Sequence, residues 1–273
     1  MKKVNLFDIS EKVVVITGGA GALGGSMASY LLTQGAKIAI LDLFPETVEQ
    51  RVNELKKINP GVIGISGSVL DKNHLEKAKL ELLEKWGKID VLINAAGGNM
   101  PGATIGEDQT IFDLKMEDFK KVSELNLNGS VLPAMVFGEV MAGQAFGSII
   151  NISSMTATHA VTRVVGYSAS KAAIDIFTKW MATEMALKFD GSVRVNAIAP
   201  GFFIGNQNRA LLTNPDGSYT ERGHTIIKNT PMKRFGNADE LNGAIHWLIS
   251  DAASFVTGTI VPIDGGFSAF SGV

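Results

Sequence analysis

A strand pattern followed by a glycine-rich turn stands near the start of the chain, which reads Val13-Val-Val-Ile-Thr-Gly-Gly-Ala-Gly-Ala-Leu-Gly24. The β-branched run at 13–17 predicts a buried strand, and apolar residues at helical spacing follow over 27–34. Glycines let the backbone turn tightly and approach a pyrophosphate, whose charge is stabilised by the amides and dipole of the next helix. The strand, turn and helix together therefore predict a dinucleotide-binding unit.

Apolar runs and longer helical stretches alternate along the rest of the chain. The pattern predicts further strands at 37–42, 62–66, 89–94, 147–152, 192–198 and 259–263. It predicts helices at 71–86, 119–141, 167–189 and 238–248. Apolar strands separated by helices are typical of a parallel sheet that is covered on both faces. We therefore expect an α/β fold, a Rossmann-type doubly wound seven-stranded parallel sheet with helices on both faces, formed by one domain over residues 1–273.

Two stretches, 97–115 and 199–230, are predicted to be irregular, and loops of this length in a compact domain are usually functional. Both follow predicted strands, so both should lie at the carboxyl edge of the sheet. Open α/β folds bind their ligands at that edge. We therefore expect these two loops to carry the substrate site.

Composition narrows the range of partners. The 273 residues include 25 basic and 27 acidic side chains without a basic block, so binding to nucleic acid is not expected. The chain has no cysteine, which excludes a disulfide framework and a thiol nucleophile and fits a reducing cytoplasm. Asp8 and Glu11 interrupt any signal peptide, and no apolar run is long enough to span a bilayer. Scattered histidines predict no metal site. We expect a soluble, cytoplasmic protein.

An acidic residue, Asp42, ends the second predicted strand 18 residues after Gly24. A carboxylate at this position accepts hydrogen bonds from both hydroxyls of an adenosine ribose, and it repels a 2′-phosphate. No arginine or lysine stands in the glycine turn or at Leu43-Phe44 to hold such a phosphate. The pattern therefore favours NAD over NADP. The alternative is that Asp42 caps the helix that Pro45 begins.

A tyrosine and a lysine, Tyr167 and Lys171, stand four residues apart in a segment of small and apolar residues. On a helix their side chains share one face. A phenol beside an ammonium is suited to proton transfer, because the positive charge favours the phenolate. The alternative is a chance pair in which the tyrosine is packed and the lysine is solvated.

Residues along nearly the whole chain occur at intervals that resemble the short-chain dehydrogenase/reductase family. The markers are Thr17-Gly18 with Ala22 and Gly24, Asn94-Ala-Ala-Gly97, Asn126, Ser154 thirteen residues before Tyr167, Lys171, and Pro200-Gly201. The resemblance implies an NAD-dependent oxidoreductase with the catalytic residues Asn126, Ser154, Tyr167 and Lys171. It implies that the cofactor contacts Gly18, Gly21, Ala22, Leu23, Gly24, Asp42, Ser68, Val69, Asn94, Ala95, Ala96, Gly97, Tyr167, Lys171, Pro200, Gly201 and Ile204.

The family's roles carry over to the matching positions. Tyr167 would exchange a proton with the substrate oxygen, and Lys171 with a positively charged nicotinamide would lower the phenol pKa from its ordinary ~10. Lys171 would also bond to the nicotinamide ribose. Ser154 would donate to the substrate oxygen, where charge develops during hydride transfer. Asn126 would hold a water that links Lys171 to solvent.

The chain departs from the family's pattern at four places. The middle glycine of the first turn is Ala22, and Ser68-Val69 replaces an Asp-Val pair that bonds adenine. Gly205 stands where a threonine commonly bonds the cofactor, which leaves the backbone of Ile204 to serve the carboxamide. The loop at 97–109 is longer than usual.

The segments 98–103 and 201–212 resemble those of sugar-acid dehydrogenases within this family. The resemblance is first to D-mannonate oxidoreductases, which interconvert D-fructuronate and D-mannonate, and next to gluconate 5-dehydrogenases. A sugar acid needs a cation for its carboxylate, which an arginine clamps through two hydrogen bonds, and polar groups for its hydroxyls. The candidate substrate residues are Asn99, Arg163, Asn206, Gln207 and Arg209. The alternative is that these are solvated loop residues or subunit contacts.

Two other functions compete with the sugar-acid hypothesis. A 3-oxoacyl-carrier-protein reductase needs a basic docking surface and usually NADPH, so Asp42 and the near-neutral charge argue against it. A catalytically silent NAD-binding sensor or scaffold usually lacks the tyrosine or the lysine, whereas this chain has all four catalytic side chains. The segment 256–266 resembles one that joins subunits in many relatives, which implies a homotetramer.

Overall fold

The computed structural model describes residues 5–205 and 208–272. The strands are β1 (Val13–Thr17), β2 (Lys37–Asp42), β3 (Val62–Ser66), β4 (Val91–Asn94), β5 (Gly147–Ile152), β6 (Val193–Pro200) and β7 (Ile260–Ile263). The α-helices in this part of the chain are α1 (Ala22–Thr33), α2 (Pro45–Leu55), α3 (Lys72–Trp86), α4 (Met116–Ser123), α5 (Gly129–Gly143), α6 (Val165–Lys188), α7 (Arg209–Leu212), α8 (Glu221–Asn229) and α9 (Asn242–Ile249).

The strands form one seven-stranded sheet in the order β3-β2-β1-β4-β5-β6-β7, and every neighbouring pair is parallel. The order reverses direction between β1 and β4, where Thr17 pairs with Asn94. A ligand crevice opens at such a reversal, outside the carboxyl ends of the strands. The predicted doubly wound Rossmann-type fold is confirmed.

Alternating side chains along the strands build a separate core on each face of the sheet. Val14 and Ile16 of β1 point to the core that is closed by α1, α2 and α9. Val15 points to the opposite core, which α3, α5 and α6 close. Because successive side chains enter opposite cores, both faces of these strands are buried, and the strands are therefore apolar throughout. No helix within 5–205 and 208–272 is both long and apolar enough to cross a bilayer.

The helix predicted at 119–141 is divided in the structure. A turn of π-helix at Glu124–Asn128 separates α4 from α5. Such wide turns inside helices are frequent at functional sites, and this one contains Asn126. The apolar periodicity continues through it, so the sequence shows no break.

The stretch predicted to be irregular at 199–230 also contains regular structure. β6 extends to Pro200, and the short α7 and the longer α8 follow. Thr220 caps α8, because its hydroxyl accepts a hydrogen bond from the Gly223 amide at 3.1 Å. The helix buries only Gly223 and Ile226, so its apolar stripe is too narrow to stand out in the sequence.

Candidate active site

The glycine turn after β1 forms a closely packed cradle. Gly18 has a φ of +65°, and a Cβ there would lie 2.7 Å from the Ala95 carbonyl oxygen. A Cβ on Gly24 would collide with the Gly18 carbonyl oxygen. Gly21 stands at the N-cap of α1 and has no side chain to cover the first amides of the helix. These amides and the helix dipole suit a pyrophosphate, so the turn fits a dinucleotide.

The carboxylate of Asp42 faces this turn. It accepts hydrogen bonds from the amides of Ala20 at 3.1 Å and Leu43 at 2.8 Å. The alternative role as a helix cap does not match the structure, because Phe44 stands at the N-cap of α2. Arg51 of α2, which the sequence analysis missed, also reaches the turn and donates to the Ala20 carbonyl at 3.3 Å.

Arg51 bears on the choice of cofactor. Its guanidinium forms an ion pair with Glu54 at 2.8 Å, one turn further along α2. A cation that already has a carboxylate partner is a poor receptor for a 2′-phosphate. The neighbourhood of Asp42 therefore fits NAD, as the strand-end carboxylate predicted.

Strands β1, β4 and β5 are tied together beneath this cradle. The buried Thr17 hydroxyl accepts from the amides of Ala95 and Ala96, each at 3.2 Å. The Asn94 side chain donates to the Ser130 carbonyl at 3.1 Å and to the Asn151 side chain at 2.9 Å. Thr17 and Asn151 were not assigned as site residues from the sequence, since only the folded sheet brings them to these partners.

The remaining cofactor candidates lie at the carboxyl ends of other strands. Ser68 follows β3, and its hydroxyl accepts from the Leu70 amide at 3.1 Å. Val69 is buried and close to the Cα of Gly129. Gly201 follows β6 at Pro200 and donates to the Ile263 carbonyl at 2.9 Å. Ala22 and Leu23 begin α1, and Gly97 lies in the loop after β4. The side chain of Ile204 packs in a small apolar cluster with Leu212, Ile226 and Phe235.

Ser154 and Tyr167 are brought together at the end of β5 and the start of α6. Their side chains are hydrogen-bonded. The Ser154 oxygen accepts from the Thr156 amide at 3.2 Å, so its own proton can be donated towards the tyrosine or a substrate oxygen. Ser154 is buried, and Tyr167 is half-buried. This pair forms a donor site at the mouth of the crevice.

Lys171 lies one turn after Tyr167 on α6 and is almost fully buried. Its Nζ donates to the Ile152 carbonyl at 2.7 Å and lies 5.4 Å from the centre of the Tyr167 ring. Burial lowers the pKa of Lys171 to about 8, and the charge of Asp175 acts in the opposite direction. The alternative of a solvated lysine does not match the structure.

Asn126 is fully buried and is held by backbone groups. Its Oδ1 accepts from the Gly98 amide at 3.0 Å, and its Nδ2 donates to the carbonyls of Gly98 and Val122, each at 2.8 Å. A Cβ on Gly97 would lie 2.7 Å from Asn126 Oδ1 and 3.6 Å from Lys171 Nζ. The amide and the ammonium therefore flank the same glycine.

Within the chain, burial and Ser154 shift the pKa of Tyr167, whereas the predicted lowering of this pKa also involves the nicotinamide of bound NAD. Burial raises the pKa of Tyr167 above its ordinary value, and the hydrogen bond with Ser154 acts in the opposite direction. The chain by itself therefore keeps the phenol protonated at neutral pH. The protonated form is the one that can give a proton to a carbonyl oxygen.

The substrate candidates from the sequence do not all lie together. Arg163 has a φ of +80°, and its guanidinium donates to the Ile105 carbonyl at 2.8 Å and pairs with Glu107 at 3.1 Å. Asn99 donates to the Thr104 hydroxyl at 2.6 Å. Arg209 is exposed at the start of α7. Two further candidates, Asn206 and Gln207, lie outside the described residues.

The structure adds Arg222, which the sequence analysis missed. Its guanidinium donates to the carbonyl and hydroxyl oxygens of Thr162, each at 3.3 Å, which places α8 against the residue next to Arg163. Burial and the like charge of Arg163 lower the pKa of Arg222, while Glu107 raises it. The charges of the two arginines therefore interact, although Arg163 follows β5 and Arg222 belongs to α8.

The parallel sheet, the glycine cradle and the tyrosine–lysine pair are those of a dinucleotide-dependent oxidoreductase. A family model described as enoyl-(acyl carrier protein) reductase matches residues 18–268. The chain belongs to the short-chain dehydrogenase/reductase family, and it is an NAD-dependent oxidoreductase that acts on alcohol and ketone groups.

Several relatives are similar over almost the whole chain. An uncharacterised oxidoreductase of Bacillus subtilis, UxuB, is 44% identical over 275 positions, which cover 97% of this chain and 98% of its own. A solved structure from Haemophilus influenzae, provisionally assigned as a D-mannonate oxidoreductase with bound NAD, has a TM-score of 0.90 at 38% identity, covering 98% and 100%. A 3-oxoacyl-[acyl-carrier-protein] reductase of Thermotoga maritima is 31% identical, covering 94% and 98%.

Proposed function

We propose that this protein interconverts D-mannonate and D-fructuronate with NAD(H), exchanging a secondary alcohol and a ketone on a sugar acid. The observation that carries the proposal is the presence of two partly buried arginines near each other. Arg163 stands four residues before Tyr167 in the chain, and Arg222 of α8 donates to Thr162, the residue before Arg163. The similarity to the Haemophilus structure and its provisional assignment supports the same substrate.

The arginine pair suits a carboxylate. Glu107 pairs with Arg163 at 3.1 Å but is itself largely exposed, so it compensates two guanidinium groups incompletely. Arg222 contacts only the neutral Thr162 among the partners found in the described chain. A substrate carboxylate would supply the missing charge through charge-assisted hydrogen bonds. Arg222 is therefore our first candidate for the carboxylate, and Arg163 adds a second positive charge near it.

Two polar atoms in the same loops suit the hydroxyls of a sugar. Asn99 Oδ1 and Thr156 Oγ1 are buried and have no hydrogen-bond partner among the described residues. Unpaired buried polar atoms are costly, so they favour a ligand that supplies donors and acceptors. An acyl chain would leave both unpaired. The sugar chain of a hexonate has hydroxyl groups for both.

The candidate tetrad, which consists of Asn126, Ser154, Tyr167 and Lys171, would move the proton. Bound NAD(H) supplies or accepts the hydride. Tyr167 would give its proton to the ketone oxygen in reduction, and Ser154 would donate a hydrogen bond to the same oxygen as it gains charge. Lys171 would hold the nicotinamide ribose and connect the phenol to Asn126. A water next to Asn126 would return the proton from solvent.

We expect Asp42→Ala to weaken NADH binding by about 10- to 100-fold, because a charge-assisted hydrogen bond contributes roughly 1.5–3 kcal/mol. Binding of NADPH should weaken much less or improve, since the repulsion of a 2′-phosphate is removed. Fluorescence titration with NADH and with NADPH measures the ratio of the two affinities. Glu46→Gln, which removes an exposed acidic residue of α2, should leave the ratio unchanged. An unchanged ratio in Asp42→Ala would contradict the role of Asp42.

The substrate assignment is tested by initial rates with D-fructuronate, 5-ketogluconate and an acetoacetyl thioester, each with NADH and with NADPH. We expect the highest kcat/KM for D-fructuronate with NADH. A preference for 5-ketogluconate would point to a gluconate 5-dehydrogenase. Activity on the thioester alone would point to an acyl-carrier-protein reductase, and no turnover of any of the three would favour an NAD-binding sensor or scaffold.

We expect Arg222→Met to raise the KM for D-fructuronate by about tenfold or more, since it removes charge-assisted hydrogen bonds of roughly 1.5–3 kcal/mol. NADH affinity should stay unchanged, because Arg222 lies on α8 and is not one of the expected cofactor contacts. Lys228→Met is the matched control, since Lys228 is exposed in the last turn of the same helix. An unchanged KM in Arg222→Met would show that the carboxylate binds elsewhere.

Assembly, location and domain organisation complete the proposal. We propose a single-domain cytoplasmic protein that forms a homotetramer through α6 and the segment 256–266. The exposed apolar side chains Ile176, Trp180 and Leu187 on α6 support a subunit contact there. Light scattering of the purified protein measures the assembly directly.

A further inference from the structure

A second carboxylate, Asp175, lies on the same helix as Tyr167 and Lys171. It lies on α6 one turn after Lys171 and is partly buried. Its carboxylate accepts a short hydrogen bond from the hydroxyl of Ser153, the residue directly before Ser154. Ser153 is itself buried, and its amide donates to the Ile198 carbonyl of β6 at 2.8 Å. Asp175 therefore links α6 to the segment directly after β5, which contains Ser153 and Ser154.

In the described part of the chain, the charged groups that shift the pKa of Asp175 lie on α6. Its neighbours on α6 are the buried Lys171 and the exposed Lys179. From β5, the groups that reach the pair are neutral: the Ile152 carbonyl contacts Lys171 Nζ and the Ser153 hydroxyl contacts Asp175. Within 5–205 and 208–272, Asp175 is the carboxylate whose charge raises the pKa of Lys171.

The pKa values are consistent with this arrangement. Burial lowers the pKa of Lys171 to about 8, and Asp175 raises it. Burial raises the pKa of Asp175, while Ser153, Lys179 and Lys171 lower it. A neutral asparagine would accept the same hydrogen bond from Ser153 without the cost of a partly buried charge. A purely structural tie therefore does not require the carboxylate.

We propose that Asp175 is a positioning residue, held by Ser153, whose negative charge supports the Lys171 ammonium beside Tyr167. This inference rests on the tetrad of the proposed function. With Asp175 in place, Lys171 stays charged at neutral pH even though it is buried. The ammonium then holds the nicotinamide ribose and faces the ring of Tyr167. Ser153 aligns the carboxylate and the Ser154 backbone together.

The test separates the charge of Asp175 from its hydrogen bond. Asp175→Asn keeps the acceptor for Ser153 and removes the charge, whereas Ser153→Ala keeps the charge and removes the hydrogen bond. Asp175→Glu is the conservative rescue. For each protein, kcat/KM for D-fructuronate reduction and the NADH dissociation constant are measured from pH 6 to pH 10. The melting temperature at pH 6.5 shows whether each variant is folded.

In Asp175→Asn, we expect activity and NADH affinity to begin their alkaline loss at a lower pH than in the wild type. A shift of one pH unit in that loss would make the rate at pH 9 about tenfold lower relative to the wild type. Ser153→Ala should lower the rate at every pH without moving the profile. Asp175→Glu should return the profile towards that of the wild type.

Superimposable pH profiles for Asp175→Asn and the wild type would overturn the proposal. A profile that moved equally in Ser153→Ala would also overturn it, because the hydrogen bond and not the charge would then be responsible. NADH titration needs no substrate, so a wrong choice of sugar acid would leave this test intact. Failure of the tetrad itself would appear separately, as full activity in Tyr167→Phe.

Discussion

Replacement of Tyr167 by phenylalanine should lower kcat for D-fructuronate reduction by about 10²- to 10⁴-fold, the range expected when a positioned proton donor is lost. Phenylalanine keeps the ring that lies 5.4 Å from Lys171 Nζ and loses only the hydroxyl that meets Ser154. NADH affinity should therefore change little. Rates at saturating NADH, together with a fluorescence titration of the cofactor, separate the two effects.

The control for this experiment is Tyr219→Phe, which removes a phenol from the segment before α8. Tyr219 packs edge-on against His224 and Phe235, away from the candidate tetrad. The Tyr219→Phe variant should retain most of the wild-type rate. If Tyr167→Phe kept more than about a tenth of the activity, proton donation by Tyr167 would be excluded. Loss of a positioned proton donor lowers the rate by at least about 10²-fold, which leaves about a hundredth of the activity.

Gly24→Ala should abolish measurable NADH binding and lower the melting temperature. Alanine favours a helix over glycine by up to about 1 kcal/mol, so propensity alone predicts a more stable protein. At this position, however, the added Cβ collides with the Gly18 carbonyl oxygen and lies 2.9 Å from the Gly19 Cα. Both neighbours are backbone atoms of the cradle, so relief of the clash must deform the turn that receives the pyrophosphate.

The next residue provides the matched control. A Cβ on Gly25 meets the guanidinium end of Arg51 at 2.9 Å, and this flexible side chain can move away. Gly25→Ala in the same helix should therefore retain NADH binding within a few-fold. Equal NADH affinity in Gly24→Ala and Gly25→Ala, measured by the same titration, would contradict the role of the turn as a pyrophosphate cradle.

Much of the fold could be predicted from local sequence. The bounds of β1, β2, β3 and β5 agree residue for residue with the prediction, because each of these strands contains a short β-branched or aliphatic run with polar or glycine residues next to it. The π-helical turn at Glu124–Asn128 could not be predicted. It depends on the fit of Asn126 against Gly98, which belongs to a different part of the chain.

The sequence by itself determined the family-specific elements of this protein: the glycine turn, Asp42 at a strand end, and Tyr167 one helical turn before Lys171. These are local patterns, and a strand, a turn or a helix converts their spacing into geometry without help from the rest of the chain. Only the tertiary structure decided that Arg222 meets Thr162, that Asp175 meets Ser153, and that burial raises the pKa of Tyr167. Contacts between distant segments and the exclusion of water depend on packing, and packing exists only once the sheet and its helices have assembled.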